Sequence, residues 1–168
     1  TSDFLENSQE FENKRDLIEK YNLTLLFGFE AVDNFTRQVI YNKGLKLEDF
    51  EDGIKKAQRL GFRTGAFVFC GVHSMTQKEI IVDTTKTIDY CRKNNSAVYL
   101  MLPNLQPFTI NHILFVNDKY KLLEPRTVLE IINILINGSK GNRSSYYLRG
   151  HNWSIGGLTT HPQPEMFL

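Results

Sequence analysis

The sequence predicts an α/β chain built from parallel βα units that belong to a larger, barrel-like sheet. Three nearly unbroken apolar runs carry the prediction: residues 23–27 (LTLLF), 64–70 (TGAFVFC) and 97–102 (AVYLML). Such runs suit parallel strands buried on both faces better than alternating surface strands. Each is followed by a stretch with helical spacing, and this alternation argues for a parallel sheet with right-handed crossovers. Strands this apolar need neighbours at both edges, because an exposed hydrophobic edge invites aggregation. Three strands therefore read as part of a sheet rather than a complete one.

In chain order, residues 1–22 read as an entry loop and then a helix. Asn7 and Glu10 stand in capping-box spacing, and Phe11, Leu17, Ile18 and Tyr21 supply an apolar face. After the first strand, residues 34–41 form a short helix ended by Asn42, Lys43 and Gly44. From 47 to 60 the positions Phe50, Ile54 and Ala57 recur at helical spacing, with Gly61 as the cap. The interior Gly53 costs that helix roughly 1 kcal/mol relative to alanine. Beyond the second strand and a GVHS turn, Thr76 and Glu79 make a capping box for a helix to about Lys93 whose face is Ile81, Thr84, Ile88 and Cys91. After the third strand, the prolines of PNLQPFT prohibit a helix and expose Asn104 and Gln106. Residues 110–121 are ambiguous, with a short strand or helix around 113–116. Pro125 opens a helix through Val128, Ile131, Ile132 and Leu135 that stops at Asn137 and Gly138. The division is thus a βα domain over 1–137 and, over 138–168, a loop-rich C-terminal arm or capping loop with five glycines and the only Trp.

At 168 residues the chain is the size of one domain. Twenty Lys and Arg against 19 Asp and Glu give a net charge of +1, so no global field recruits nucleic acid or an anionic membrane. The absence of an apolar run of about 18 residues, or of a charged-then-apolar leader, predicts neither a membrane span nor a secretory signal. A start at Thr1 without methionine predicts a chain processed or excised from something longer. Cys70 and Cys91, the only cysteines, are too few for a disulfide framework or a four-thiolate metal site, and predict free thiols in a reducing cytoplasm.

Gly28 and Glu30 fall where the first strand ends, and ligands of parallel α/β proteins bind outside the carboxyl ends of strands. A carboxylate there accepts two hydroxyl hydrogen bonds, as from a ribose diol; it would equally complement a helix dipole. Cys70 reads as a packed thiol ahead of a nucleophile, and His73 as a surface loop residue ahead of a ligand. A metal site from His112, His151 and His161 is the weaker alternative to ordinary surface histidines. The run SSYYLRGHNW, with Arg143 and Arg149, could stack on and pair with RNA, or simply pack over the sheet's mouth. The charge run over 46–58 reads as a solvated helix face.

The run GFEAVDNFTRQVIYNKGLKLEDFEDGIKKAQRLGFRTGAFVFCGV, followed by HSMTQKEIIVDTTKTIDY and YLMLPNLQPFT, resembles the second half of the radical S-adenosylmethionine (radical SAM) enzyme core. The resemblance covers about residues 20–110 and rests on the order and spacing of motifs that are each short. Its nearest flavour is the branch linked to tRNA modification and to coproporphyrinogen-oxidase-like enzymes. It implies half of a partial (β/α)6 TIM-like barrel, this chain holding the last three of six strands and a missing N-terminal half or partner subunit the rest. It also implies that Gly28, Glu30 and Arg37 contact S-adenosylmethionine and that Asn104 and Gln106 face adenine or substrate, a small molecule or RNA, with no acid-base catalyst among them. Ala31 stands where the family's GxES-like turn has serine. The largest departure is the lack of a CxxxCxxC loop, whose three thiolates hold a [4Fe-4S] cluster. The chain then either works with an upstream cluster-bearing segment or is a non-catalytic α/β module that binds a nucleotide or a partner protein.

Overall fold

A computed structural model describes residues 2–103, 107–108, 110–138 and 146–149. The chain enters through α1 (Ser2–Asn7), a 3-10 segment (Ser8–Lys14) and α2 (Arg15–Lys20). Asn7 lies at the start of the 3-10 segment and its side chain makes no capping hydrogen bond, so the expected capping box is not formed there. Strand β1 (Thr24–Glu30) runs past the expected end, because Phe29 continues the alternation and is fully buried. A five-residue π-helix (Thr36–Ile40) replaces the expected short helix, and α3 (Leu47–Arg59) follows. Gly61 then adopts φ +90°, the left-handed conformation that ends a helix without strain only in glycine.

Strand β2 (Arg63–Phe69), α4 (Gln77–Lys93) and β3 (Ala97–Met101) come next. The Thr76 hydroxyl accepts from Glu79 N at 3.3 Å while the Glu79 carboxylate accepts from Thr76 N at 2.8 Å, the expected reciprocal cap. Thr76→Ala should cost about 1 kcal/mol of stability in a urea unfolding curve, and an unchanged midpoint would mean the box contributes nothing. The ambiguous stretch forms α5 (Ile110–Val116), and α6 (Pro125–Asn137) has proline in its first turn as expected.

Residues Tyr146–Arg149, read as arm, form β4, parallel to β3 with Val98 opposite Tyr146. Four residues between glycines carry too short a period to announce a strand. Gly141, Gly150 and the segment 150–168 lie outside the described residues.

The sheet is parallel throughout, in the order β1-β2-β3-β4. When each strand is laid beside the last and crossovers share one hand, every helix falls on the same face. The core obeys this: Phe27 and Phe29, Ala66 and Val68, and Val98 and Leu100 pack with Phe50 and Ile54 of α3, Ile88 and Cys91 of α4, and Ile131 and Leu135 of α6. Phe29 stacks on Phe50 at 3.8 Å between centroids. The α4 face uses Ile80 and Thr87 in addition to Thr84, Ile88 and Cys91, with Ile81 only partly buried. Arg92 reaches from α4 to donate to Ile134 O and Leu135 O at 3.2 and 2.7 Å, closing the end of α6. The other face carries Leu26, Gly65 and Tyr99; a Cβ on Gly65 would lie 2.7 Å from Leu26 Cδ2 and 2.6 Å from Tyr99 Cε2. One face is thus helix-covered and the other is lined by the sheet's own apolar side chains, the division a (β/α) barrel makes between outside and inside.

Candidate functional site

Polar groups gather where β1 and β2 end. The register slips between Gly28, opposite Phe67, and Glu30, opposite Val68, so Phe29 is bulged and Glu30 is re-aimed. Glu30 sits at φ +68°, and Ala31 N donates to Phe29 O at 2.9 Å around it. A non-glycine residue in that region stores about 1–3 kcal/mol of strain, which neighbouring contacts must offset.

The turn offers such a contact. Lys43 Nζ donates to Glu30 Oε1 at 2.7 Å, with the glutamate side chain 14% exposed and the lysine 36%. Lys43 is delivered by Asn42 and Gly44, both left-handed at φ +47° and +63°, and by its own N–H bonded to Arg37 O. Gly28 makes the room: a Cβ there would come within 2.7 Å of Lys43 Nζ. The second carboxylate oxygen, Glu30 Oε2, is buried and accepts no hydrogen bond. Beside the pair, Tyr41 lies against Phe69 and donates to Gly71 O at 3.2 Å. Burial first, and the Glu30 charge second, raise its pKa far above the ordinary tyrosine value, so it stays a neutral donor. A Glu-Lys pair with one bare oxygen and an ammonium can receive a ligand that offers a donor next to an anion.

Arg37 does something else. It is 1% exposed, and its guanidinium donates to Leu45 O (2.9 Å), Ala31 O (3.0 Å), Val32 O (2.8 Å) and Asn34 Oδ1 (3.0 Å). Its group also lies 5.7 Å from the Phe29 ring. Its donors are directed into the loop that follows β1, which they shape. The bonded fork suits backbone carbonyls, which lie wherever a tight loop turns them inward. Lys43 is the cation at the rim, and its only signal in the sequence was a turn motif. Asn104 and Gln106 lie outside the described residues, as do His151 and His161.

Cys70 directly follows β2 and Cys91 sits on α4; both are free and fully buried. Burial raises the Cys70 thiol well above its ordinary value and Cys91 to about 12, which favours packed thiols over nucleophiles. His73 is half-buried in the loop beyond Cys70. Among the described residues no three His, Cys, Asp or Glu converge. Two buried thiols cannot supply the three ligands of an open [4Fe-4S] cluster, so the residues of this chain do not fit that group. No helix among the described residues is long and apolar enough to cross a membrane.

No family model matches the chain, and no curated protein does. Among solved structures it is similar to a mutant O-GlcNAc hydrolase of Thermobaculum terrenum, with 12% identity and a TM-score of 0.49 over 86% of this chain and 32% of that one. The chain therefore spans about a third of the length of that structure, 32%.

Proposed function

We propose that this chain is the cofactor- and substrate-facing half of a radical S-adenosylmethionine domain, which cleaves that cofactor reductively once a cluster-bearing segment completes it. The observation that carries the reading is Glu30 Oε2, a buried acceptor without a partner, held beside the Lys43 ammonium at the carboxyl end of a parallel strand. S-adenosylmethionine presents a carboxylate next to an ammonium, and a ribose diol further along. Lys43 would take the carboxylate, and Glu30 the ammonium or a ribose hydroxyl. Gly28 keeps the space above the strand open for both, and Arg37 holds the loop from which they are aimed. Asn104 and Gln106 retain their proposed place toward adenine or substrate. The cluster belongs to another segment or subunit, and the substrate class includes RNA. A cytoplasmic setting suits two reduced thiols.

The rival is a cluster-independent α/β module that binds a nucleotide or a protein, favoured by the absence of a thiolate loop in these 168 residues. Calorimetry of the chain with S-adenosylmethionine separates the two. A few hydrogen bonds contribute about 0.5–1.5 kcal/mol each, against an association cost of at least about 4 kcal/mol. The expected affinity is therefore millimolar or weaker, roughly −4 kcal/mol at most. Micromolar binding would mean a complete pocket without the cluster and would favour the rival. Reading the gene upstream of Thr1 supplies the second arm: a CxxxCxxC loop there supports the radical reading, and its absence from the gene and from any co-purifying subunit sinks it.

A further inference from the structure

Asparagine followed two places on by serine or threonine, with any residue but proline between, is the acceptor signal for N-linked glycosylation. The chain holds six such triplets, beginning at Asn22, Asn34, Asn94, Asn137, Asn142 and Asn152. With 14 asparagines, and 20 serines and threonines among 168 residues, chance would supply about two. Three of the six meet at one end of the sheet. Asn22 stands two residues before β1 and Asn94 three before β3. Arg92, two residues before Asn94, donates to Ile134 O and Leu135 O in the last turn of α6, which ends at Asn137. The strands are parallel, so this end lies opposite Glu30, which closes β1.

The acceptor nitrogens differ in what they leave free. Asn94 is half-buried and donates from Nδ2 to Tyr90 O at 3.0 Å, and Asn137 donates from Nδ2 to Asn133 Oδ1 at 2.7 Å. Asn22 is exposed in a left-handed turn at φ +49°. Its Oδ1 accepts from Arg63 Nη2 at 3.3 Å, and its Nδ2 donates to nothing among the described residues. Thr24, which completes that triplet, is exposed as well. Thr36 and Ser96, the hydroxyl residues that follow Asn34 and Asn94, are buried. Asn142 and Asn152 lie outside the described residues.

We propose that Asn22 is a site of N-linked glycosylation. Nδ2 bonds to the anomeric carbon of the first sugar of a polyprenyl diphosphate-linked oligosaccharide. The bond from that carbon to the diphosphate breaks, the lipid diphosphate leaves, and one Nδ2 proton goes to a base of the transferase. Oδ1 takes no part, so it keeps its bond to Arg63 and the turn keeps its shape. A glycan at this end leaves the Glu30–Lys43 rim uncovered. The setting this requires is a secretory lumen, in place of the cytoplasm that two reduced thiols suit. Cys70 and Cys91 tolerate it because both are fully buried, away from oxidants. The inference does not rest on the cofactor reading.

Peptide mass spectrometry of the protein from its own cells, after peptide-N-glycosidase treatment in heavy-oxygen water, tests the site. That enzyme releases the glycan and leaves a labelled aspartate where the carrying asparagine stood. The expected result is the label at position 22, and its loss in Thr24→Ala made in the same cells, with one glycan fewer on the whole protein. Thr24→Ser keeps the hydroxyl and should restore both. An unmodified asparagine at position 22 of the parent protein, or a Thr24→Ala protein still labelled there, overturns the proposal. If Thr24→Ala does not fold, the parent peptide decides.

Discussion

Replacing Arg37 with methionine should lower the unfolding free energy by about 3–5 kcal/mol, since the stem is retained and every hydrogen bond of the head is lost. The bonds in question go to Ala31 O, Val32 O, Leu45 O and Asn34 Oδ1. A buried carbonyl left without a donor costs about 1–3 kcal/mol. Leu45 O is spared because Gln38 Nε2 also donates to it, which leaves the carbonyls of residues 31 and 32 to bear the loss. Methionine also lacks the charge that sits over Phe29. Arg37→Lys should recover little, because a single ammonium cannot reach four acceptors on different sides of a loop. Urea unfolding with an unchanged m-value reads the effect. A loss below about 1 kcal/mol for methionine would mean that water replaces the guanidinium and that the loop is not built on it.

The stability of the parent chain and that of Asp83→Asn should part as pH rises. Burial first, and the Asp33 charge second, lift the folded-state carboxyl to about 6, above the ordinary aspartate value of about 3.8. The folded protein therefore binds this proton more tightly than the unfolded chain does. Its contribution is fully present below about pH 4 and is lost as pH climbs through about 6, with an upper bound of roughly 3 kcal/mol at 1.36 kcal/mol per unit. The carboxylate oxygens are not among the buried unpartnered atoms, so solvent screens part of this. Asparagine does not titrate, so the variant should match the parent near pH 4 and exceed it by about 1–2 kcal/mol at pH 7.5, once screening is allowed for. Asp33 works in the opposite sense: its lowered carboxyl stabilises the fold above about pH 4 and loses that effect in acid. The difference between the two proteins, and not the parent curve alone, is therefore the quantity to measure in denaturant titrations across pH. Equal stabilities at pH 7.5 would show that the Asp83 carboxylate is solvated after all.

The sequence by itself determined the parts of this protein that are set within a few residues. Thr76 and Glu79 cap α4 because the two groups lie one turn apart; Gly61 stops α3 because only glycine is unstrained at φ +90°; Pro125 opens α6 because its missing N–H is needed nowhere else. The three apolar runs are strands, parallel and in chain order. Only the tertiary structure decided the rest. Arg37 and Lys43 are both cations shortly after β1, and nothing local distinguishes them; the π-helix and the left-handed residues at 42 and 44 turn one into the loop and the other onto Glu30. β4 pairs with a strand about fifty residues earlier, Val98 opposite Tyr146, and so declares itself only through its partner. Asp83 reads as an ordinary polar position of an amphipathic helix, and its partner in charge, Asp33, comes from the other side of α3 and β2. Capping and backbone propensity act over one turn, whereas burial and charge act between whatever the chain folds together, so a site assembled from loops is legible only once those loops have met.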